Sequence, residues 1–315
     1  MTLSHFLDPA NWAWNPLTIL LLVAAGAAYV VGWVHLRRAF PHRRGSAPKM
    51  TVGSGARLFS FTVGLTAIAL ATLSPLANLY DDLLLARSTQ QVLMGLIAPP
   101  FLWLAVPFHA VVRSMPFPMR RAVLRHLRPD ARIGRTVRAI TRPQIVWPLT
   151  FFGFLVWLDG SFLQWSLAAP WRHYLGLWAL WGLYMLFWWH AVNTGPRIHK
   201  RLPVGVIFAY MVLGGEVPNL IAGVSLAFRE TIAYPHYATT SGPALLGITH
   251  LLDQTMSGGL IWVAGSFVYV IGAILILGKV FDTVEAPPPP SLDWIATERT
   301  LAPGLEHRGG QSGKW

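Results

Sequence analysis

Few residues of this chain are of types that do chemistry in apolar surroundings, and Glu216 stands out among them. It lies in Gly214-Gly215-Glu216-Val217-Pro218-Asn219, where two glycines and a proline loosen a helix and free carbonyls for a cation, a polar network or a neighbouring side chain. A kinked helix with a hydrogen-bonded or protonated Glu216 is the plainer reading, and a proton or ion relay the sharper one. Asp159 lies within another apolar run, and His109 and His190 lie near the ends of two more. The histidines are expected at interfaces or paired with helix ends. A second set is carried by polar connections: Tyr234, His236, Tyr237, His250, Asp253, Gln254 and Met256, with Asp81, Asp82, Gln90, Gln91 and Met94 on another stretch. Spacings of three and four put His250, Asp253 and Gln254 on adjoining positions of one helix face. A thioether from Met94 or Met256 with an imidazole from His236 or His250 would suit monovalent copper. Against this, methionine is ordinary packing material, and no HxH or HxxxH pair occurs in the chain.

The elements that position these groups follow from composition. Of the 315 residues 54% are hydrophobic and 12% charged, against about a quarter charged in soluble domains, so a water-facing surface cannot be covered. Fifteen tryptophans, among them Trp12, Trp14, Trp171 and Trp262 near the ends of apolar runs, match the aromatic belts of membrane interfaces. The absence of cysteine excludes disulfides, thiolate-bound zinc, CxxC redox chemistry and iron–sulfur ligation. No basic segment precedes the first apolar run, so no cleaved signal peptide is expected. The chain offers no Ser/His/Asp arrangement, phosphate loop or paired carboxylates at membrane depth, so an enzyme is not expected.

Seven segments, near 17–36, 58–77, 89–111, 145–168, 171–192, 203–227 and 257–279, are long enough to cross a bilayer as helices. All but Arg87, Arg172 and Arg229 of the 25 Lys and Arg residues fall in alternate connections. That is how membrane orientation is encoded. It predicts an all-α integral membrane protein, a bundle of about seven transmembrane helices, with the N-terminus outside and the C-terminus cytoplasmic. The formal charge of +12 is therefore an orientation signal, and no nucleic-acid partner is expected. Between Pro116 and Arg142, Val123, Leu124, Leu127, Ile133 and Val137 alternate with arginines, which predicts an amphipathic helix on the anionic inner leaflet; docking to a partner is the sharper alternative. Residues 1–284 form the membrane domain, and the proline-rich stretch 285–315 is expected to be a disordered cytoplasmic tail.

Three stretches in order resemble the CtaG-type cytochrome c oxidase assembly family. The first is Tyr80-Asp81-Asp82, Gln91-Val92-Leu93-Met94 and Ala98-Pro99-Pro100-Phe101-Leu102, ending with Pro107. The second is Arg142-Pro143, Trp157, His173 and Phe187-Trp188-Trp189. The third is Pro218-Asn219-Leu220-Ile221-Ala222-Gly223, Tyr234-Pro235-His236-Tyr237, and Asp253-Gln254 through Gly259 to Trp262-Val263. The resemblance implies a bacterial inner-membrane protein that assists assembly or copper maturation of a haem–copper oxidase, with the oxidase subunits as partners. It also implies histidines at positions occupied here by Arg87, Gln91, Leu158 and Leu177, with His173 kept. Arginine has no available lone pair and an amide is a poor copper donor. A divergent member that holds no copper stably is therefore expected. Residual copper binding through His173, His236, His250, Met94 and Met256 is the alternative at the site, and a metal-free accessory subunit of a respiratory oxidase is the alternative in function.

Overall fold

A computed structural model describes residues 8–39, 54–126, 131–195, 199 and 202–284. The tail expected at 285–315 lies outside these residues, as do Arg43, Arg44, Lys49, Arg128, Arg197, Lys200 and Arg201. The described residues up to Ala273 belong to one compact unit, and those of 274–284 to a second. The described residues hold helices and no strand.

Helix α1 (Pro16–Ala39) is capped by Asn15, whose side chain accepts from the Leu17 and Thr18 amides. Helix α2 (Gly55–Leu73) stops before Pro75, short of the expected 77. Helix α3 (Leu84–Leu104) begins five residues earlier than expected and ends at Val106, which takes the left-handed conformation (φ 55°) ahead of Pro107. Helix α4 (Pro107–Ser114) leaves it at 65°. The run read as a third span is therefore broken by local backbone geometry that hydropathy does not register.

The arginine-rich stretch forms two helices where one was expected, α5 (Phe117–His126) and α6 (Arg132–Ile140). Helices α7 (Pro143–Leu158) and α8 (Gly160–Leu167) meet at 69°. Asp159 is the hinge: its backbone is extended and its carboxylate accepts from the Ser161 and Phe162 amides, which starts a new helix inside a continuous apolar run. Helix α9 (Pro170–Val192) is unbroken, as is the hydrophobic run of α10 (Val204–Ala227). The last helix, α11 (His250–Val284), starts at His250, so that it carries His250, Asp253 and Gln254 ahead of the span at 257–279. Among the described residues, five helices are thus long and apolar enough to cross a membrane, or up to seven if each bent pair is one span.

Two of the helices contain a widened turn, at Val92–Ile97 in α3 and at Val212–Glu216 in α10. Each is followed, after one residue, by a proline: Pro99 and Pro218. Proline lacks the N–H for the i−4 carbonyl and its ring crowds that carbonyl; a turn with one extra residue relieves the clash. The carbonyl that Pro99 leaves unpaired, that of Gly95, accepts from Trp188 Nε1 at 3.2 Å, so the proline defect fastens α3 to α9. Glycines let α10 and α11 touch by their backbones: a Cβ on Gly258 would strike the Gly223 carbonyl and the Ala227 amide. That crossing seats the first turns of α11, and with them Asp253 and Gln254, against the ends of neighbouring helices.

Candidate functional site

The polar residues converge at the end of the helices that carries the 230–250 connection. Helix α3 enters there with an extended Leu83 and no cap of its own. The cap comes from α11 instead. Asp253, 1% exposed, accepts from the Leu84 amide at 2.9 Å and the Leu85 amide at 3.0 Å. A carboxylate suits the positive end of a helix and satisfies two donors that nothing else reaches.

One turn further, Arg87 is buried at 3% exposure. Its Nη1 donates to Ser166 Oγ and to His173 Nδ1, both at 3.1 Å, and the guanidinium lies 4.2 Å over the Trp157 ring. Arginine only donates, so His173 Nδ1 carries the lone pair and the ring is the neutral Nε2–H tautomer. That second nitrogen faces Gln90 Oε1 at 3.0 Å, and Gln90 in turn donates to the Ala71 carbonyl at 2.7 Å. The imidazole stacks on Tyr80 at 3.7 Å. Both nitrogens of His173 are thus engaged, one by a cation.

The 230–250 connection closes over this cluster through backbone carbonyls. Tyr237 donates to the Tyr80 carbonyl at 2.7 Å, Thr240 to that of Asp82 at 2.8 Å, and Tyr234 to that of Leu158 at 2.8 Å. His236 Nε2 sits 2.9 Å from both the Asp81 carbonyl and its carboxylate, and His250 Nε2 lies 2.9 Å from the Thr240 carbonyl. Gln254 accepts from the Ala233 amide at 2.6 Å and donates to the Thr231 carbonyl at 3.1 Å. Burial above all holds the Tyr80 hydroxyl up at about 12 and raises that of Tyr237, so both stay protonated.

The sequence-derived candidates therefore fall into separate places. His173, Arg87, Gln90 and Trp157 are brought together; His236 with Asp81, and His250, serve the connection at its surface. Met94 is fully buried in the widened turn of α3, while Met256 is 44% exposed on α11. Gln91 and Leu158 line the cavity beside Arg87, and Leu177 is fully buried one turn along from His173. Of the positions where the resemblance implies histidines, Gln91 and Leu158 thus border the same cavity as Arg87, and the retained His173 is bonded to its guanidinium. Among the described residues no three His, Asp or Glu side chains share an ion-sized space. The donors present do not fit a copper ion: the retained imidazole is engaged at both nitrogens and a fixed cation stands beside it.

Glu216 lies elsewhere, in the widened turn of α10, accepting from Ser266 Oγ at 2.6 Å with its other oxygen buried and unpaired. At the opposite end of α9, His190 Nε2 meets the Thr141 carbonyl at 2.9 Å, and His199 Nε2 the Thr141 hydroxyl at 2.9 Å. Burial, then Arg138 and Arg142, hold His199 below its ordinary value. His109 is exposed on α4. Sequence reasoning placed Arg87 in a connection and missed it as the centre. The signal was there: Arg87, Gln90, Gln91 and Met94 recur at helical spacing on one face.

A family profile described as cytochrome c oxidase caa3 assembly factor matches residues 27–283. No curated protein and no solved structure matches the chain.

Proposed function

We propose, from the premise that this chain belongs to the cytochrome c oxidase caa3 assembly factor family, that it assists assembly of a haem–copper oxidase by protein contact and carries no copper of its own at His173. The observation that carries the second half is the engagement of both His173 nitrogens, by Arg87 and by Gln90. A copper(I) ligand needs a free imidazole lone pair, and here the lone pair accepts from a guanidinium.

The topology belongs to the same proposal. The confinement of cations to alternate connections supports an N-terminus outside and a C-terminus in the cytoplasm of a bacterial inner membrane. The Arg87 cluster and its covering connection then face outward, the side on which the proposed partner would receive copper. Helices α5 and α6 face inward, and exposed Phe117, Met119, Ile133 and Ile140 beside their arginines support contact with an anionic leaflet. A metal-free accessory subunit would have the same architecture and differs only in the lifetime of the contact.

The test is a host deprived of its own copy. Wild type and His173→Gln are expected to restore assembled oxidase alike, and purification in mild detergent is expected to separate the factor from the active enzyme. Loss of oxidase copper in His173→Gln at normal protein levels would overturn the metal-free reading. Stoichiometric co-migration with the active oxidase would establish the accessory subunit instead.

A further inference from the structure

The 69° bend at Asp159 leaves a groove of ≈ 660 Å³ between α7 and α10, within the range of small-molecule sites. One wall is Phe151, Leu155 and Leu158, spaced four and three apart on one face of α7; the other includes Val217, Ile221 and Leu226 of α10. Ser225, which also lines it, turns its hydroxyl back to the Ile221 and Ala222 carbonyls and so leaves the wall apolar. The groove follows α10 from Val217, and the eleven residues from there to Ala227 rise about 15 Å, half of the hydrocarbon core of a bilayer. It is one leaflet deep.

Its charged lining lies where these helices end. Asp159 closes α7, and Arg229 follows the last turn of α10. Both charges act on Tyr234, whose hydroxyl donates to the Leu158 carbonyl. Among the described residues Asp159 and Arg229 form no ion pair with each other. The Ser161 and Phe162 amides both donate to Oδ1 of Asp159, so the helix cap does not use Oδ2. Arg229 donates to Thr231 through Nε, which leaves the Nη groups of its fork outside that bond.

We propose that this groove binds one phospholipid with an ethanolamine headgroup, an acyl chain between α7 and α10, its phosphate on Arg229 and its ammonium on Asp159. An anion and a cation at one end of an apolar slot match the two charges of that headgroup in kind and in place. A fatty acid or a headgroup with no cation would set a lone negative charge beside Asp159. A choline headgroup has no N–H to donate to the carboxylate. A partner's membrane helix would need the full thickness of the bilayer, and the slot spans half of it. The site does not depend on the proposed role in oxidase assembly.

The experiment is native mass spectrometry of the delipidated full chain in detergent, given equal amounts of ethanolamine, choline and glycerol phospholipids with identical acyl chains. The wild type is expected to retain one lipid, with the ethanolamine form favoured about tenfold over each of the others. Asp159→Asn keeps the cap through its amide oxygen and should lose the preference over choline; Arg229→Gln, at an exposed position, should weaken retention of all three. The competition on the wild type needs no variant. Retention of several lipids without headgroup preference would mean annular lipid only and overturn the site, as would Asp159→Asn keeping the wild-type preference. A wild type that retains no lipid would also overturn it and leave the groove to a protein partner.

Discussion

Arg87 and Glu216 are both ionisable side chains carried into the packed helices, and their surroundings treat them oppositely. Arg87 sits in regular helix and its Nη1 is matched by partners from two other helices, Ser166 on α8 and His173 on α9. Gln90 and Tyr80 then fix the histidine from its far side and its face. Glu216 sits in a widened turn and has one side-chain partner, Ser266. The first is a joint between elements. The second belongs to a local backbone defect, whose cause is Pro218. A charge in an apolar run is thus informative only with its partners: the same rarity in sequence marks a convergence point in one case and a relieved helix turn in the other.

Substitutions separate the two regions, and the largest effect is expected from the residue that seats Arg87. Asp253→Ala leaves the Leu84 and Leu85 amides buried without an acceptor and should destabilise by about 3 kcal/mol, measured by thermal or denaturant unfolding in detergent. Asp253→Asn, which keeps one acceptor, should lose about half as much. His173→Leu comes next, at about 2 kcal/mol, because it strands Gln90 and one bond of Arg87 while preserving volume. Glu216→Gln should change stability by less than about 1 kcal/mol, since the amide oxygen still accepts from Ser266. A loss at Glu216 as large as that at His173 would erase the distinction between joint and defect.

The smallest effect concerns the far end of α9. The folded-state pKa of His199 lies below the ordinary 6.5, from burial first and from Arg138 and Arg142 next. The unfolded chain therefore takes the proton first, so stability present above pH 6.5 falls as pH drops toward the folded value. A decline of Tm between pH 7 and 5.5 that is shallower in His199→Gln than in the wild type is the expected signature. A rise on acidification would contradict the assignment.

Hydropathy located the apolar runs well, because burial in lipid or protein asks the same thing of every residue in a span. It could not see the bends at Val106 and Asp159, since left-handed φ and a capping carboxylate are local geometry inside runs that stay apolar. The disturbed helix at Glu216 was legible from glycine and proline, which act on the backbone directly. Asp253 and Gln254 were legible as neighbours on one helix face but not in their use: their partners are backbone groups of α3 and of the 230–250 connection, which leave no mark in side-chain spacing. Arg87 was hidden by its neighbourhood. Lying ahead of the densest apolar stretch, it reads as a connection cation until Asp253 is seen to start the helix at Leu84.

The central claim is that Arg87 and Gln90 take up both nitrogens of His173 and leave no copper site there. Elemental analysis of the chain, loaded with copper(I) under reducing conditions and desalted in detergent, tests it most directly. The account predicts no stoichiometric copper in wild type. One copper per chain, lost in His173→Gln with the fold intact, would contradict it.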